Sequence, residues 1–362
     1  MKNNLVFLRC CDVYSNRAYY IDMNFNWTQL DSAYDLDIEY SKRFCALVDH
    51  YKLNPPHSFE NRGVFGDEVD NEWTTTMALT FQSWRDNKGQ APSLVSVLSA
   101  VIQYFDIPEG HALVPVALTA CVLGMIDHKN AYHNNDHFRE VLCMLIKLII
   151  MHNTVNRNPL MTLNHDDILL LVTVAAIHDF AHDGNGNIVD GVHIPSRLEN
   201  NAFNCAEPFF DAMGVNQNYK NMIKQMIIAT DVSRGDMGRS PAGYTRDVFL
   251  AHIHDNVSIV NAPGECHMLL ESEKLTLMCI LMCEADIAMS SGLDYEFSKE
   301  MTKLIAEESS VLQANANTLH GFMEVICHGG YLSRAAQLIM GQSFQAILLQ
   351  AEADKEENVL YA

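Results

Sequence analysis

Two short stretches carry the residue types that do chemistry: Tyr132-His133-Asn134-Asn135-Asp136-His137 and Ile177-His178-Asp179-Phe180-Ala181-His182. In each, two histidines stand four apart, and on an α-helix that spacing puts both rings on one face, one turn apart. The expectation is that both stretches are helical and that they converge. Asp179 adds a hard carboxylate oxygen to the imidazole nitrogens, a donor mixture that suits zinc and also manganese, iron or magnesium.

A single His-x-x-x-His is weak evidence, because helical histidines are commonly surface or satisfied core residues. The second stretch is more telling. His178-Asp179 follows the apolar run Leu169 to Ile177, where two polar groups would be costly to bury without a partner. Cys283-Glu284-Ala285-Asp286 ends another apolar run and offers a further carboxylate. His137, His178, Asp179 and Asp286 thus make a four-residue ligand set with coordination positions left for water.

The elements that must position these residues read as helices. The chain has 362 residues, 48% of them hydrophobic, enough for a large core in one domain or two. Apolar residues recur at helical spacing from Pro92 almost to Gln350, and strand alternation is nearly absent, so the fold class is all-α. Helices are expected over Asp31–Leu53, Trp73–Trp84, Pro92–Phe105, Leu113–His128, His133–Met151, Asp166–Asp179, Asn218–Asp231, Leu275–Met289 and Asn315–Met340. Residues 1 to about 30, rich in aromatic and β-branched types, suggest a small hairpin or strap. The expected division is an N-terminal extension or helical subdomain over 1–90, a catalytic domain over 91–350 and a charged tail over 351–362.

Forty-five acidic against 24 basic residues give a net charge of −21, which argues against a surface built for nucleic acid or anionic lipid. An anionic substrate would then need a local cation, which a bound metal supplies. Ten cysteines without framework spacing and without a C-x-x-C pair read as reduced thiols. The N-terminal apolar run is too short for a signal-peptide core, and no later stretch reads as a membrane span, so a cytoplasmic protein is expected.

In order along the chain stand Met125-Ile126-Asp127-His128, Tyr132-His133-Asn134-x-x-His137, His178-Asp179-x-x-His182-x-Gly184, Leu198-Glu199-Asn200, Ala229-Thr230-Asp231-x-Ser233, Ala285-Asp286 and Gly321-Phe322. From about Pro92 to Met340 the chain resembles the catalytic domain of class I cyclic nucleotide phosphodiesterases, within the HD metal-hydrolase superfamily. The resemblance implies that His137, His178, Asp179 and Asp286 hold a first metal, usually zinc. Asp179 would bridge to a second, usually magnesium or manganese, with a hydroxide shared between them as nucleophile. It implies His133 as general acid. His182, Glu199 and Thr230 would hold waters around the metals, and Phe322 would stack on the substrate base. The implied reaction opens a 3′,5′-cyclic nucleotide, cAMP or cGMP, to the 5′-monophosphate. Read without the resemblance, Phe322 fits core packing, Glu199 a helix-surface acid and Thr230 a helix end.

The chain departs from the family pattern on the base side. The glutamine that reads the purine edge falls three residues before the stacking aromatic, and here that position is Leu319, which neither donates nor accepts. Asn315 and Thr318 share the helical face of Phe322 and are candidate substitutes; Gln313 falls on the opposite face of a continuous helix. Glu140, Asp183 and Cys283-Glu284 are further departures, and the stretch from Asp286 to Phe322 is shorter than is common. Metal-side residues are kept and base-side residues are not. That pattern leaves three readings: a cyclic nucleotide phosphodiesterase with altered base selection, a hydrolase of a different phosphoester, or a non-catalytic binding module on the same scaffold.

Overall fold

The computed structural model describes residues 6–11, 18–23, 36, 39–53, 59, 63–66, 72–108, 110–234, 238–257, 266–309 and 312–357. The fold is all-α, with two small antiparallel hairpins beside the helices. The first pairs β1 (Val6–Cys11) with β2 (Ala18–Met23), Val6 opposite Met23 and Cys11 opposite Ala18. The second pairs β3 (Ile188–Val189) with β4 (Val192–His193).

Among the described residues, six α-helices precede that second hairpin: α1 (Ser41–Leu53), α2 (Trp73–Asp86), α3 (Leu94–Tyr104), α4 (Val114–Gly124), α5 (Asn135–Val155) and α6 (His165–Ile177). After it come α7 (Arg197–Ala212), α8 (Gln217–Ile228), α9 (Pro241–Ile253), α10 (His267–Glu271), α11 (Glu273–Ser291), α12 (Tyr295–Glu308), α13 (Ala316–Gly321) and α14 (Arg334–Glu356).

The centre of the fold is α6. Asn164 starts it with a capping box: its side chain accepts from Asp167 N while the Asp167 carboxylate accepts from the Asn164 N–H. Every residue from Asp167 to Ile177 is buried, because α4, α5, α8 and α11 surround the helix on all sides. Each large apolar side chain so enclosed stabilises by about 1.5–3 kcal/mol. The segment Pro159–Ile177 is long and apolar enough to cross a bilayer, with mean hydropathy 1.5, yet 72% of that window is buried inside the fold, which marks a core helix.

Helices α4 and α6 approach so closely that only glycine fits at 124. A Cβ there would lie 2.2 Å from the Ala176 carbonyl oxygen. Helices α1 and α2 share this core. Phe44 packs on Phe209 at 4.9 Å between ring centroids, and Arg85 of α2 forms a two-point ion pair with Glu140 of α5 at 2.7 and 2.6 Å. Glu140 is fully buried, so the pair compensates a charge that would otherwise be stranded.

Several boundaries differ from the sequence expectation. Helix α5 begins at Asn135, after the N-cap Asn134, so His133 lies in the preceding loop and not on the helix with His137. Helix α6 ends at Ile177 with His178 as its C-cap, and Ala181 adopts a left-handed φ of 61°, so His182 also lies off the helix. The expected single helix over Asn315–Met340 is broken into α13, a π-helical turn over Phe322–Ile326, and α14. Four α-helices among the described residues, α7, α9, α10 and α12, arise where the apolar spacing predicts none.

Candidate metal centre

Four side chains from three helices meet at one point. His137 comes from the first turn of α5, His178 and Asp179 from the end of α6, and Asp286 from the middle of α11. The Nε2 atoms of His137 and His178 are 3.3 Å apart. His137 Nε2 lies 3.4 Å from Asp179 Oδ2 and 3.1 Å from Asp286 Oδ1. His178 Nε2 lies 3.1 and 3.5 Å from the same two oxygens. All four donor atoms fall within 4.8 Å of one another.

That spacing fits a cation. Donors at zinc bond lengths of about 2.1 Å in a tetrahedron stand about 3.4 Å apart. Two buried imidazole nitrogens at 3.3 Å repel unless a proton or a metal lies between them and the carboxylates. His178 Nδ1 lies 3.2 Å from the Ala175 carbonyl, which fixes that nitrogen as the donor and leaves Nε2 facing the cluster. His137 Nδ1 has no partner among the described residues.

The charges are mutually supporting. Burial pushes the His178 imidazole down, but Asp179 and Asp286 outweigh it and hold it well above its ordinary value. Burial pushes both carboxyls up, and the facing histidines pull them down, Asp286 to about 2. Both aspartates are therefore anions at neutral pH, as metal ligation requires.

His133 stands beside this cluster. Asn134 anchors it: its side chain accepts from Asp136 N and His137 N, while its amide donates to the Asn130 and Ala131 carbonyls. The His133 ring stacks on His182 at 4.2 Å and 19°. Its Nδ1 meets Glu308 Oε1 at 2.5 Å, and Glu308 Oε2 accepts the Tyr132 and His133 backbone N–H groups. Glu308, the last residue of α12, has no place in the sequence reading. Burial pushes it up, but its bonds to His133 and to the two backbone N–H groups bring it down to about 2. His133 is in turn held above its ordinary value, burial opposing and Asp179, Glu308 and Asp286 prevailing.

His182 is fixed by Asn130, whose amide donates to the His182 carbonyl at 2.9 Å, and by the Gly184 N–H, 3.0 Å from Nδ1. Burial and the neighbouring His133 push it down to about 4, so the ring is neutral near pH 7. Glu199 lies across the pocket. Burial, then the Asp231 carboxylate, push it up to about 8 against a hydrogen bond from Asn187. Asn187 ties the far wall together, its amide reaching Glu199, Asp231 and Ser233 while its oxygen accepts the Leu198 N–H. Thr230 lines the same pocket, its hydroxyl donating to the Ile227 carbonyl.

These residues open on a pocket of about 600 Å³. Its inner end holds His133, Asp179, His182, Glu199 and Asp286; its outer walls are Ile287, Ile305, Leu312, Phe322, Val325 and Ile326. The volume lies within the range of about 300–1,000 Å³ typical of small-molecule sites. Phe322 faces this pocket. Leu319 does not: it is 1% exposed and packed in the core, which corrects its assignment as a base-side contact. Phe322 keeps regular helical dihedrals at the end of α13, and a π-helical turn begins there. Thr318 and Asn317 line the pocket instead, whereas Asn315 is spent as the N-cap of α13, accepting from Thr318 N.

The departures from the family pattern have structural partners. Glu140 pairs with Arg85, Asp183 forms a two-point pair with Arg197, the Cys283 thiol donates to the Ala229 carbonyl, and Glu284 accepts the Leu332 and Ser333 N–H groups.

No protein-family model matches the chain, and no curated protein matches it. Among solved structures, it is similar to that of a Leishmania phosphodiesterase, LmjPDEB1, in complex with IBMX. The likeness has a TM-score of 0.48 and 13% identity, and covers 91% of this chain and 96% of the other. At that distance, what the pocket does rests on this chain's own residues.

Proposed function

We propose that the chain is a metal-dependent phosphoester hydrolase that opens a 3′,5′-cyclic nucleotide to the 5′-monophosphate. The observation that carries this reading is the meeting of His137, His178, Asp179 and Asp286 on one point at the floor of a pocket that also holds His133. Two histidines and two carboxylates suit zinc, and Asp179, which lines the open pocket, would also be available to a magnesium or manganese ion. Such divalent cations supply Lewis acidity toward phosphoryl oxygens and a water acidified toward neutral pH.

The protein's own groups do the rest. His133, held toward its charged form by Asp179 and Glu308, gives its proton to the departing ribose oxygen. Glu308 holds Nδ1 of that ring, so Nε2 is the nitrogen that delivers. Glu199, Asn187 and Thr230 present hydrogen-bonding groups along the opposite wall, and neutral His182 backs the acid. Phe322, Ile287, Val325 and Ile326 give the base a dry slot in which stacking on Phe322 replaces contact with water.

One observation favours a second reading, hydrolysis of a different phosphoester: with Leu319 in the core, Asn317 and Thr318 are the polar side chains beside Phe322, and neither has the reach of a glutamine. The test is turnover of cAMP, cGMP and a panel of cyclic dinucleotides and other phosphodiesters by the full chain loaded with zinc, magnesium or manganese. Preference for a cyclic mononucleotide supports the first reading, and preference elsewhere in the panel supports the second. Metal binding without turnover of any phosphoester would leave a non-catalytic binding module.

A further inference from the structure

All three Asx-Gly dipeptides of the chain, Asp183-Gly184, Asn185-Gly186 and Asp190-Gly191, fall within nine consecutive residues, and only Asn185-Gly186 carries a side-chain amide. The stretch runs from the residue after His182 into the β3–β4 hairpin, and Gly186 and Asn187 line the candidate active site. A glycine after asparagine has no Cβ to shield its nitrogen, so that nitrogen can reach the side-chain carbonyl before it.

The structure leaves this pair open to that reaction. Asn185 and Gly186 are both exposed and lie outside any helix or strand. Gly186 has φ 64°, its N–H makes no hydrogen bond among the described residues, and nothing lies within 4 Å of where a Cβ would stand. The Asn185 amide is held by one long bond, from Nδ2 to the Asp183 carbonyl at 3.2 Å. Asp183 is different: its two bonds from Arg197 hold its carboxylate down to about 2, and an anionic oxygen is a poor leaving group for the same cyclisation.

One side chain brackets Asn185. Arg197 donates from Nη1 and Nη2 to the Asp183 carboxylate at 2.6 and 2.9 Å, and from Nε to the Gly186 carbonyl at 3.1 Å. Directly after this bracket comes Asn187, 6% exposed, whose amide ties Glu199, Asp231 and Ser233 together while its oxygen accepts the Leu198 N–H. An isoaspartyl residue adds one carbon to the main chain, about 1.5 Å. A segment clamped at both ends cannot take up that carbon unless the Arg197 grip opens or Asn187 moves.

We propose that Asn185 is a site of spontaneous deamidation, with water as co-reactant, and that its isoaspartyl product draws Asn187 out of the pocket wall. The Gly186 nitrogen bonds to Asn185 Cγ as the Cγ–Nδ2 bond breaks, and the Gly186 N–H proton leaves with Nδ2 as ammonia, closing a succinimide. Water then adds to a ring carbonyl: breaking the bond from the main-chain carbonyl to nitrogen gives isoaspartate, and breaking the Cγ–N bond gives aspartate. Nothing is oxidised or reduced. The consequence for turnover rests on reading the pocket as an active site; the modification itself does not.

The test is peptide mapping by mass spectrometry of the full chain held in mildly alkaline buffer, with isoaspartate detected by methyl transfer from an isoaspartyl methyltransferase. Conversion at Asn185 should outpace every other asparagine at least tenfold, with isoaspartate the main product, and Asn185→Ser should abolish it. A rate at Asn185 no higher than elsewhere would overturn the site. A shift of about 1 Å in a positioning group can cost about a hundredfold in rate, so turnover of the aged chain should fall at least tenfold as isoaspartate accumulates. Asn185→Ser aged alongside should keep its turnover, and so should Asn185→Asp, which has the new charge without the added carbon. Equal loss in either variant would overturn the account of Asn187. Should the fresh chain turn over no phosphoester, the reading of the pocket fails separately, and the melting temperature takes the place of turnover: a fall confined to the aged, unaltered chain supports the displacement of Asn187, and an equal fall in Asn185→Ser overturns it.

Discussion

Glu308 Oε1 lies 2.5 Å from His133 Nδ1, a contact between the end of α12 and the loop before α5 that spans 175 residues of chain. The carboxylate keeps the proton on Nδ1, turns Nε2 toward the pocket and stabilises the charged ring. Glu308→Gln should lower kcat on a cyclic nucleotide by about 10- to 100-fold, within the range set by loss of general acid catalysis, while metal content is unchanged. A diester with a nitrophenolate leaving group needs no proton on departure, so its hydrolysis should fall by much less. Equal losses on both substrates would show that Glu308 supports the fold and not the acid.

Removing either carboxylate attacks the candidate centre itself. Asp179→Asn and Asp286→Asn each leave His137 and His178 facing one another at 3.3 Å with half the anionic charge gone. Bound zinc, measured by elemental analysis after dialysis, should fall below stoichiometric in both, with affinity reduced more than about a hundredfold. The unaltered chain should lose its turnover to a chelator and regain it with added divalent metal. Full metal retention in Asp286→Asn would remove that residue from the ligand set.

The pocket wall makes a prediction opposite to the one that helix phase gives. Leu319 sits in the core, so Leu319→Gln buries an amide without a partner and should cost about 1–3 kcal/mol of stability, with no gain in purine discrimination. Phe322→Ala, in contrast, should raise KM about tenfold at little cost in kcat, because the ring contacts ground state and transition state alike. Denaturant melts and kinetics on the two variants separate these outcomes.

The four residues that meet at the candidate metal centre are legible because each lies in a short motif whose apolar surroundings make a buried charge conspicuous. Their geometry is not. The i, i+4 spacing predicts helical His133 and His182, whereas Asn134 takes the cap position and Ala181 turns left-handed, and the two rings meet by stacking across loops. Glu308, Asn187 and Asn130 left no local signal: each acts on a partner distant in sequence, and carboxamides and acids at helix ends are ordinary. The unforeseen helices share a cause. Helix α7 carries three asparagines and an internal Pro208, and α12 mixes glutamates and lysines with its apolar face, so weak propensity hid helices that packing stabilises.

Gly124 offers a test of the core independent of chemistry. Its missing Cβ lets α4 lie against α6, with the Ala176 carbonyl at 2.2 Å and Leu94 Cδ1 at 2.8 Å from where that carbon would be. Backbone cannot yield as a flexible side chain does, so Gly124→Ala should cost about 1–3 kcal/mol by overpacking, more than the about 1 kcal/mol that alanine ordinarily gains in a helix. Because α6 delivers His178 and Asp179, metal affinity should fall alongside the melting temperature. A neutral or stabilising result would mean that the two helices can part at no cost.

His128 sets a pH dependence with a definite sign. Its ring packs edge-on against Phe138 and Phe180 at 5.2 and 5.9 Å, and its Nε2 is buried without a partner. Burial, then the nearby Arg43, push it down to about 4, with Asp179 and Asp127 opposing too weakly. An unfolded histidine titrates near 6.5, so between about pH 6.5 and 4 the unfolded chain takes up a proton that the folded chain refuses. Stability is therefore lost as pH falls through that window, by on the order of 2–3 kcal/mol from this residue at about 1.4 kcal/mol per pH unit. His182 is lowered to a similar value and contributes in the same window, so the unaltered chain alone does not isolate His128. The difference between it and His128→Phe does: urea unfolding at pH 7 and at pH 4.5 should show the variant gaining relative stability as pH falls, and parallel curves would mean that His128 is charged, or free to become so, in the folded chain.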